Sequence, residues 1–230
     1  MSKTNYSTKY FKDRDHLDLH LAESIKILAK GHKFKKILDV GCGTGKLVSF
    51  LNKNGFQAKG CDKFPKAVSI AQKNNNKNSI IKAPATNLPF SNRSFDLITS
   101  ISAIEHLTPR ETKQFLQETH RILKHKGLVF IVTPNFNSPF RYLRGKNWFA
   151  YKDPTHINFF TKYEVSKQLN KVGFKNISFR HNSAYDIPFD WYLPKALRKL
   201  PMPAKNILNY LMVTSPLSTF RDSLWVSAQK

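Results

Sequence analysis

Two sets of residues in this sequence carry functional groups at spacings that chemistry can use. The first is Asp39-Val40-Gly41-Cys42-Gly43-Thr44-Gly45, in which three glycines alternate directly after the apolar pair Ile37-Leu38. A strand that ends in such a turn and opens into a helix aims backbone N–H groups at an anionic group of a ligand, and glycine lets that ligand come close to the backbone. A dinucleotide fingerprint would need GxGxxG, but here the third glycine comes one residue early and Lys46 stands in its place. A phosphate-binding P-loop would need Gly-Lys-Ser or Gly-Lys-Thr, and Lys46 is followed by Leu47. The second set is Glu105-His106 together with His156, which lies in Asp153-Pro154-Thr155-His156. Imidazole is the side chain best matched to take a proton near neutral pH. The other six histidines, His16, His20, His32, His120, His125 and His181, fall in expected helical or surface stretches without supporting partners, and are expected to be solvated.

These residues need elements to position them. Helical spacing of Leu19, Leu21, Ile25, Ile27 and Leu28 predicts a leading helix, followed by a strand over 36–40 and a helix carrying Leu47, Phe50 and Leu51. Strand and helix then alternate: strand 56–62, helix 65–73, strand 79–83, strand 95–100, helix 110–123 and strand 128–133. Such alternation implies an α/β fold, a doubly wound, mostly parallel sheet with helices on both faces. That places the glycine turn after the first strand, and Glu105-His106 after the fourth, at the carboxyl edge where ligands bind in open sheets. From 134 to 160 the texture changes to an aromatic-rich stretch without clear period, and a loop of that length is usually functional. A helix over 162–172 and a strand over 175–180 resume the pattern, a second break follows, and a strand over 223–228 closes it. The chain is therefore read as one domain, 1–230, with a ligand-binding half at 35–133 and two cap insertions at 134–160 and 184–221.

Composition restricts the function classes. The longest apolar runs are far too short to span a bilayer, and the polar start MSKTNYSTKYFKDRD lacks a signal-peptide core, so the expected address is the cytoplasm. Cys42 and Cys61 are the only cysteines and have no metal-site spacing, which argues against a disulfide framework or a structural zinc. The formal net charge is +23, which would draw the chain to nucleic acid or to an anionic membrane. Lysines outnumber arginines 29 to 9 and are dispersed, whereas phosphate-reading sites favour the arginine fork.

The motif ILDVGCGTG resembles the first motif of the class I S-adenosylmethionine (SAM) dependent methyltransferases, of the type similar to quinone- and sugar-modifying O-methyltransferases. GCDKFPKAV, LPFSNRSFDLITSISAIEHL and ETHRILKHKGLVFIVTPN follow in the order of that family's later motifs, so the likeness covers roughly 35–180. It implies a Rossmann-like seven-stranded sheet and SAM as cofactor. It also implies cofactor contacts at Asp39, Gly41, Cys42, Gly43, Gly45, Asp62, Lys63, Ala85, Thr86 and Ser100. Among these, Asp62 would accept hydrogen bonds from the ribose hydroxyls, and Asp39 would order the glycine turn or meet the cofactor's amino group. An acidic residue that often contacts adenine is replaced by Pro84, which leaves adenine to the Ala85 backbone and apolar walls.

On this resemblance His156, His106 and Glu105 are the candidate catalytic residues, no metal is required, and the aromatic and basic first insertion would receive an acceptor. Leucines at helical spacing between 193 and 212, with lysines and an arginine opposite, suggest a lid that also touches an anionic membrane. The expected reaction is O-methylation of a small-molecule or lipid-linked acceptor, sugar or quinone-like. Glu105, His106 and His156 also resemble three of four metal ligands in the enzymes that 2′-O-methylate the 3′ end of small RNAs. Ser102 replaces the fourth. An RNA methyltransferase is thus the alternative, and an inactive SAM-binding module a third. The sequence does not indicate an oligomeric state.

Overall fold

A computed structural model describes residues 10–11, 15–179, 200–201, 203–204 and 222–230. Seven strands form one sheet: β1 (Lys36–Val40), β2 (Gln57–Asp62), β3 (Ile80–Lys82), β4 (Phe95–Ile101), β5 (Leu123–Pro134), β6 (Lys175–Phe179) and β7 (Ser223–Gln229). Their order is β3-β2-β1-β4-β5-β7-β6. The first five are parallel, and β7 runs antiparallel to both β5 and β6. The order reverses at β1 and β4, which opens a crevice at their carboxyl ends.

The alternation of side chains along each strand divides the core in two. Ile37, Leu97, Phe130 and Trp225 point to one face. There they meet α1 (Leu19–Gly31), α2 (Lys46–Lys53) and α3 (Pro65–Asn74) through Ile25, Val48 and Ala71. Leu38, Ile98, Ile131 and Val226 point to the other. They meet α4 (Pro109–Ile122) through Phe115 and Leu116, and α6 (Lys162–Val172) through Val165 and Leu169. Helix starts follow local chemistry. Thr108 with Glu111 and Thr161 with Glu164 form reciprocal capping boxes, and α6 stops at Gly173, whose φ is 105°.

The expected α/β architecture is therefore present, with two differences in detail. β5 begins at Leu123 rather than at 128, because Lys124, His125 and Lys126 continue the strand in a charged stretch that conceals it in the sequence. The first insertion is not structureless. It contains the short helix α5 (Pro139–Arg144) and two 3-10 turns, Gly145–Asn147 and Phe149–Tyr151, and Asn135 bridges to Phe160 to close its base. The second insertion, with His181, lies outside the described residues apart from 200–201 and 203–204.

Candidate active site

β1 ends in Asp39-Val40, and the chain must turn sharply to start α2. Gly41, Gly43 and Gly45 have φ of 79°, 52° and 75°, a region that side chains bearing Cβ rarely enter. At Gly41 a Cβ would stand 2.7 Å from that of Ala103, whereas at Gly43 it would project into open space. Gly43 therefore presents bare backbone to the crevice.

Asp62, at the end of β2, latches this turn. Its Oδ2 accepts from Gly43 N at 3.1 Å and its Oδ1 from Phe64 N at 2.9 Å. Asp39 does not bond the glycine turn; its Oδ1 accepts from Thr99 Oγ1 at 2.8 Å, which leaves a contact with the cofactor's amino group as the role open to it. Burial pushes the Asp39 carboxyl up to about 7 and raises that of Asp62 as well. Two buried carboxyls thus face the crevice, with Lys63 partly offsetting the burial of Asp62, and they suit a ligand carrying its own positive charge and hydroxyl donors. Ser100, on β4, adds a buried hydroxyl with no partner among the described residues.

These groups line one cavity of about 1090 Å³. Asp39, Gly41, Cys42, Gly43, Asp62, Lys63, Ala85 and Ser100 are on its wall. Thr86 and Gly45 are not; Gly45 instead packs behind the turn, where a Cβ would meet Ala71 and Asn75. The cavity also takes in residues that sequence reasoning passed over. Tyr10, Phe11, Leu17 and Leu21 cover it from the N-terminal side, and His16, expected to be merely solvated, stands on the wall. The pairing of an aromatic doublet with the following amphipathic helix was the only available signal.

At its far end the same cavity contains Glu105, His106 and His156. The first insertion is stitched to the 3-10 turn Ile104–His106, since the Glu105 carbonyl accepts from Ile157 N and Asn158 N at 2.9 and 3.1 Å. This brings residues fifty positions apart together: the His106 and His156 ring centroids are 4.8 Å apart, and one ligating atom from each of the three side chains lies within 4.8 Å of the others. His156 Nδ1 lies 2.7 Å from the Ala150 carbonyl, which can only accept, so the proton is assigned to Nδ1 and Nε2 keeps its lone pair. That Nε2 is 3.9 Å from Asp153 Oδ2. Thr155 Oγ1 donates to Asp153 Oδ1 at 2.6 Å, which leaves His106 Nδ1 to donate to Thr155. Burial first, and second the repulsion that two protonated rings would feel beside His156, lower His106 to about 4, so it is neutral and a weak base. Glu105 is 1% exposed, and burial raises its carboxyl to about 7. Its Oε2 accepts from Thr133 Oγ1, and its Oε1 has no partner among the described residues.

A family model for a methyltransferase domain matches residues 14–179 of the chain. The chain belongs to this family. It is a class I SAM-dependent methyltransferase, and SAM is its cofactor. Among its relatives, a demethylmenaquinone methyltransferase of Thermotoga maritima is 28% identical over 167 residues, which cover 63% of this chain and 72% of that one. An uncharacterized methyltransferase of Synechocystis sp. is 32% identical over 98 residues, and the chain spans only 46% of its length. The fold is that of a SAM-dependent methyltransferase from Archaeoglobus fulgidus, with a TM-score of 0.59, 18% identity, and 91% of this chain and 94% of that one covered. The methyltransferase's glycine turn, its two buried aspartates and the open Ser100 hydroxyl fit an amino-acid and ribose-bearing cation such as SAM.

Proposed function

We propose that this methyltransferase transfers the methyl group of SAM to an oxygen of a small-molecule or lipid-linked acceptor, sugar or quinone-like. The observation that carries the reading is a single cavity that joins the glycine turn to a part-buried His–His–Glu cluster and is lined by apolar and aromatic side chains of the first insertion. Asp62 and the Gly43 backbone would hold the ribose and amino-acid end of SAM, and Ala83 and Ala85, on the same cavity wall, would flank its adenine. SAM supplies an activated methyl on a sulfonium, so the protein has to align an acceptor and remove its proton. His156 Nε2 takes that proton. The Ala150 carbonyl holds the other ring nitrogen protonated, and Asp153, 3.9 Å from Nε2, stabilises the imidazolium that results. His106 packs edge-on against His156 and limits its rotation. Phe140, Leu143 and Phe149 offer the acceptor an apolar wall and exclude water. A relative named as a demethylmenaquinone methyltransferase supports an acceptor of this class.

One observation favours a second reading, metal-dependent methylation of RNA: Glu105, His106 and His156 converge as ligands would, with one oxygen of Glu105 open. Against it, Ser102 supplies a hydroxyl where a second carboxylate would strengthen a hard cation. One experiment separates the readings. The protein is incubated with methyl-labelled SAM and a host-cell extract, with either EDTA or Mn²⁺, and products are split into organic-soluble, RNA and water-soluble fractions. Label in the organic fraction that survives EDTA is expected; label in RNA that requires Mn²⁺ would replace the first reading by the second.

A further inference from the structure

The outer face of the first insertion exposes large apolar side chains that a surface ordinarily hides. Leu143 is 80% exposed, Tyr142 70% and Ile157 57%. This exposure is not slack in the loop, because Trp148 beneath it is fully buried, donates from Nε1 to Asp222 at 3.0 Å, and packs its ring against Phe149, Tyr151 and Phe159. Phe159 continues the ring contacts to Phe136, and Arg141 stacks on both Phe136 and Tyr142 at 4.1 Å, so Tyr142, next to Leu143 in the chain, is tied to one connected aromatic platform. From 134 to 152 the sequence has no acidic residue, and it has Arg141, Arg144, Lys146 and Lys152. Asp153, the first carboxylate reached, is buried and accepts from Tyr10. Leu143 and Phe149 are both exposed and part of the cavity wall, so apolar side chains of the insertion link the outside to the site.

We propose that this face docks the methyltransferase on an anionic lipid bilayer, with Tyr142, Leu143 and Ile157 entering the headgroup region and Arg141, Lys146 and Lys152 meeting lipid phosphates. Rings at the water boundary and lysines over anionic headgroups are what such a surface selects, and each basic residue near it adds to the attraction. RNA would make less of this face, because leucine and isoleucine give bases neither a stacking plane nor a hydrogen bond. The inference rests on the reading of the acceptor as lipid-borne: docking would let an acceptor pass from the bilayer along Leu143 and Phe149 to the cluster without crossing water.

The test is co-sedimentation of the full chain with phosphatidylcholine vesicles, pure or containing about a third phosphatidylglycerol, a surface negative enough to concentrate basic segments. The wild type and two double variants are compared. Tyr142→Asp/Lys146→Glu alters exposed positions off the cavity wall. Lys73→Glu/Lys77→Glu changes net charge by more, on the α3 side of the molecule. Binding to the anionic vesicles only, lost about tenfold or more in the first variant and kept in the second, with SAM affinity equal in all three, is expected. No vesicle binding by the wild type, an equal loss in both variants, or loss of RNA binding alone in the first would each overturn the proposal. The acceptor reading fails separately, through label that stays out of the organic fraction while vesicle binding persists.

Discussion

Asp62 holds two backbone amides, and the proposed cofactor pose assigns its remaining lone pairs to the ribose hydroxyls. Asp62→Ala removes both functions, and calorimetric titration should find SAM affinity lower by about a hundredfold, as for the loss of two charge-assisted hydrogen bonds; retained affinity would mean that the ribose sits elsewhere. Glu105 titrates in the physiological range. Burial raises its carboxyl from 4.5 to about 7, so between these values the folded chain holds a proton that the unfolded chain has released. Stability from this group is complete below about 4.5 and is lost as the pH rises through about 7. Urea unfolding of Glu105→Gln should therefore show a flatter fall in stability from pH 5 to 8 than the wild type, with Asp39, raised to about 7 in the same direction, keeping part of the slope. An unchanged slope would place the Glu105 proton outside this window. The glycine turn, Asp62 and the Glu105-His106 pair were legible as residue types at set spacings. That Asp62 rather than Asp39 latches the turn was not, because a hydrogen bond across nineteen positions depends on the register of β1 against β2.

At the scale of elements, the turn and α2 are fixed by how closely α3 approaches. At Gly45 a Cβ would stand 2.9 Å from that of Ala71, and φ is 75°; at Gly55 φ is 83° but nothing lies within 4 Å. Gly55→Ala should cost only the left-handed backbone penalty of about 1–2 kcal/mol, and Gly45→Ala about 1–3 kcal/mol more from the forced clash. Denaturant midpoints check this directly, and equal losses would mean that α3 yields freely. The helices and parallel strands could be read because their apolar residues recur with periods of 3.6 and 2. The first insertion has no such period. Its order comes from long-range contacts, Trp148 with Asp222 and the Glu105 carbonyl with Ile157 and Asn158, which leave no local trace in the sequence. The N-terminal cover of the cavity by Tyr10 and Phe11 escaped for the same reason.

Across the whole molecule, the cavity at the switch point of the sheet is walled on one side by the first insertion. No helix among the described residues is long and apolar enough to cross a membrane. The account stands on the claim that one cavity brings SAM and an acceptor oxygen to His156. The most direct measurement is the turnover of His156→Ala, with the extract fraction that takes label as acceptor, beside its affinity for SAM. The account predicts SAM affinity unchanged within about twofold and turnover lower by about 10²–10⁴, the range for loss of a general base. Turnover equal to that of the wild type would contradict it and leave His156 as a strut between the insertion and the sheet.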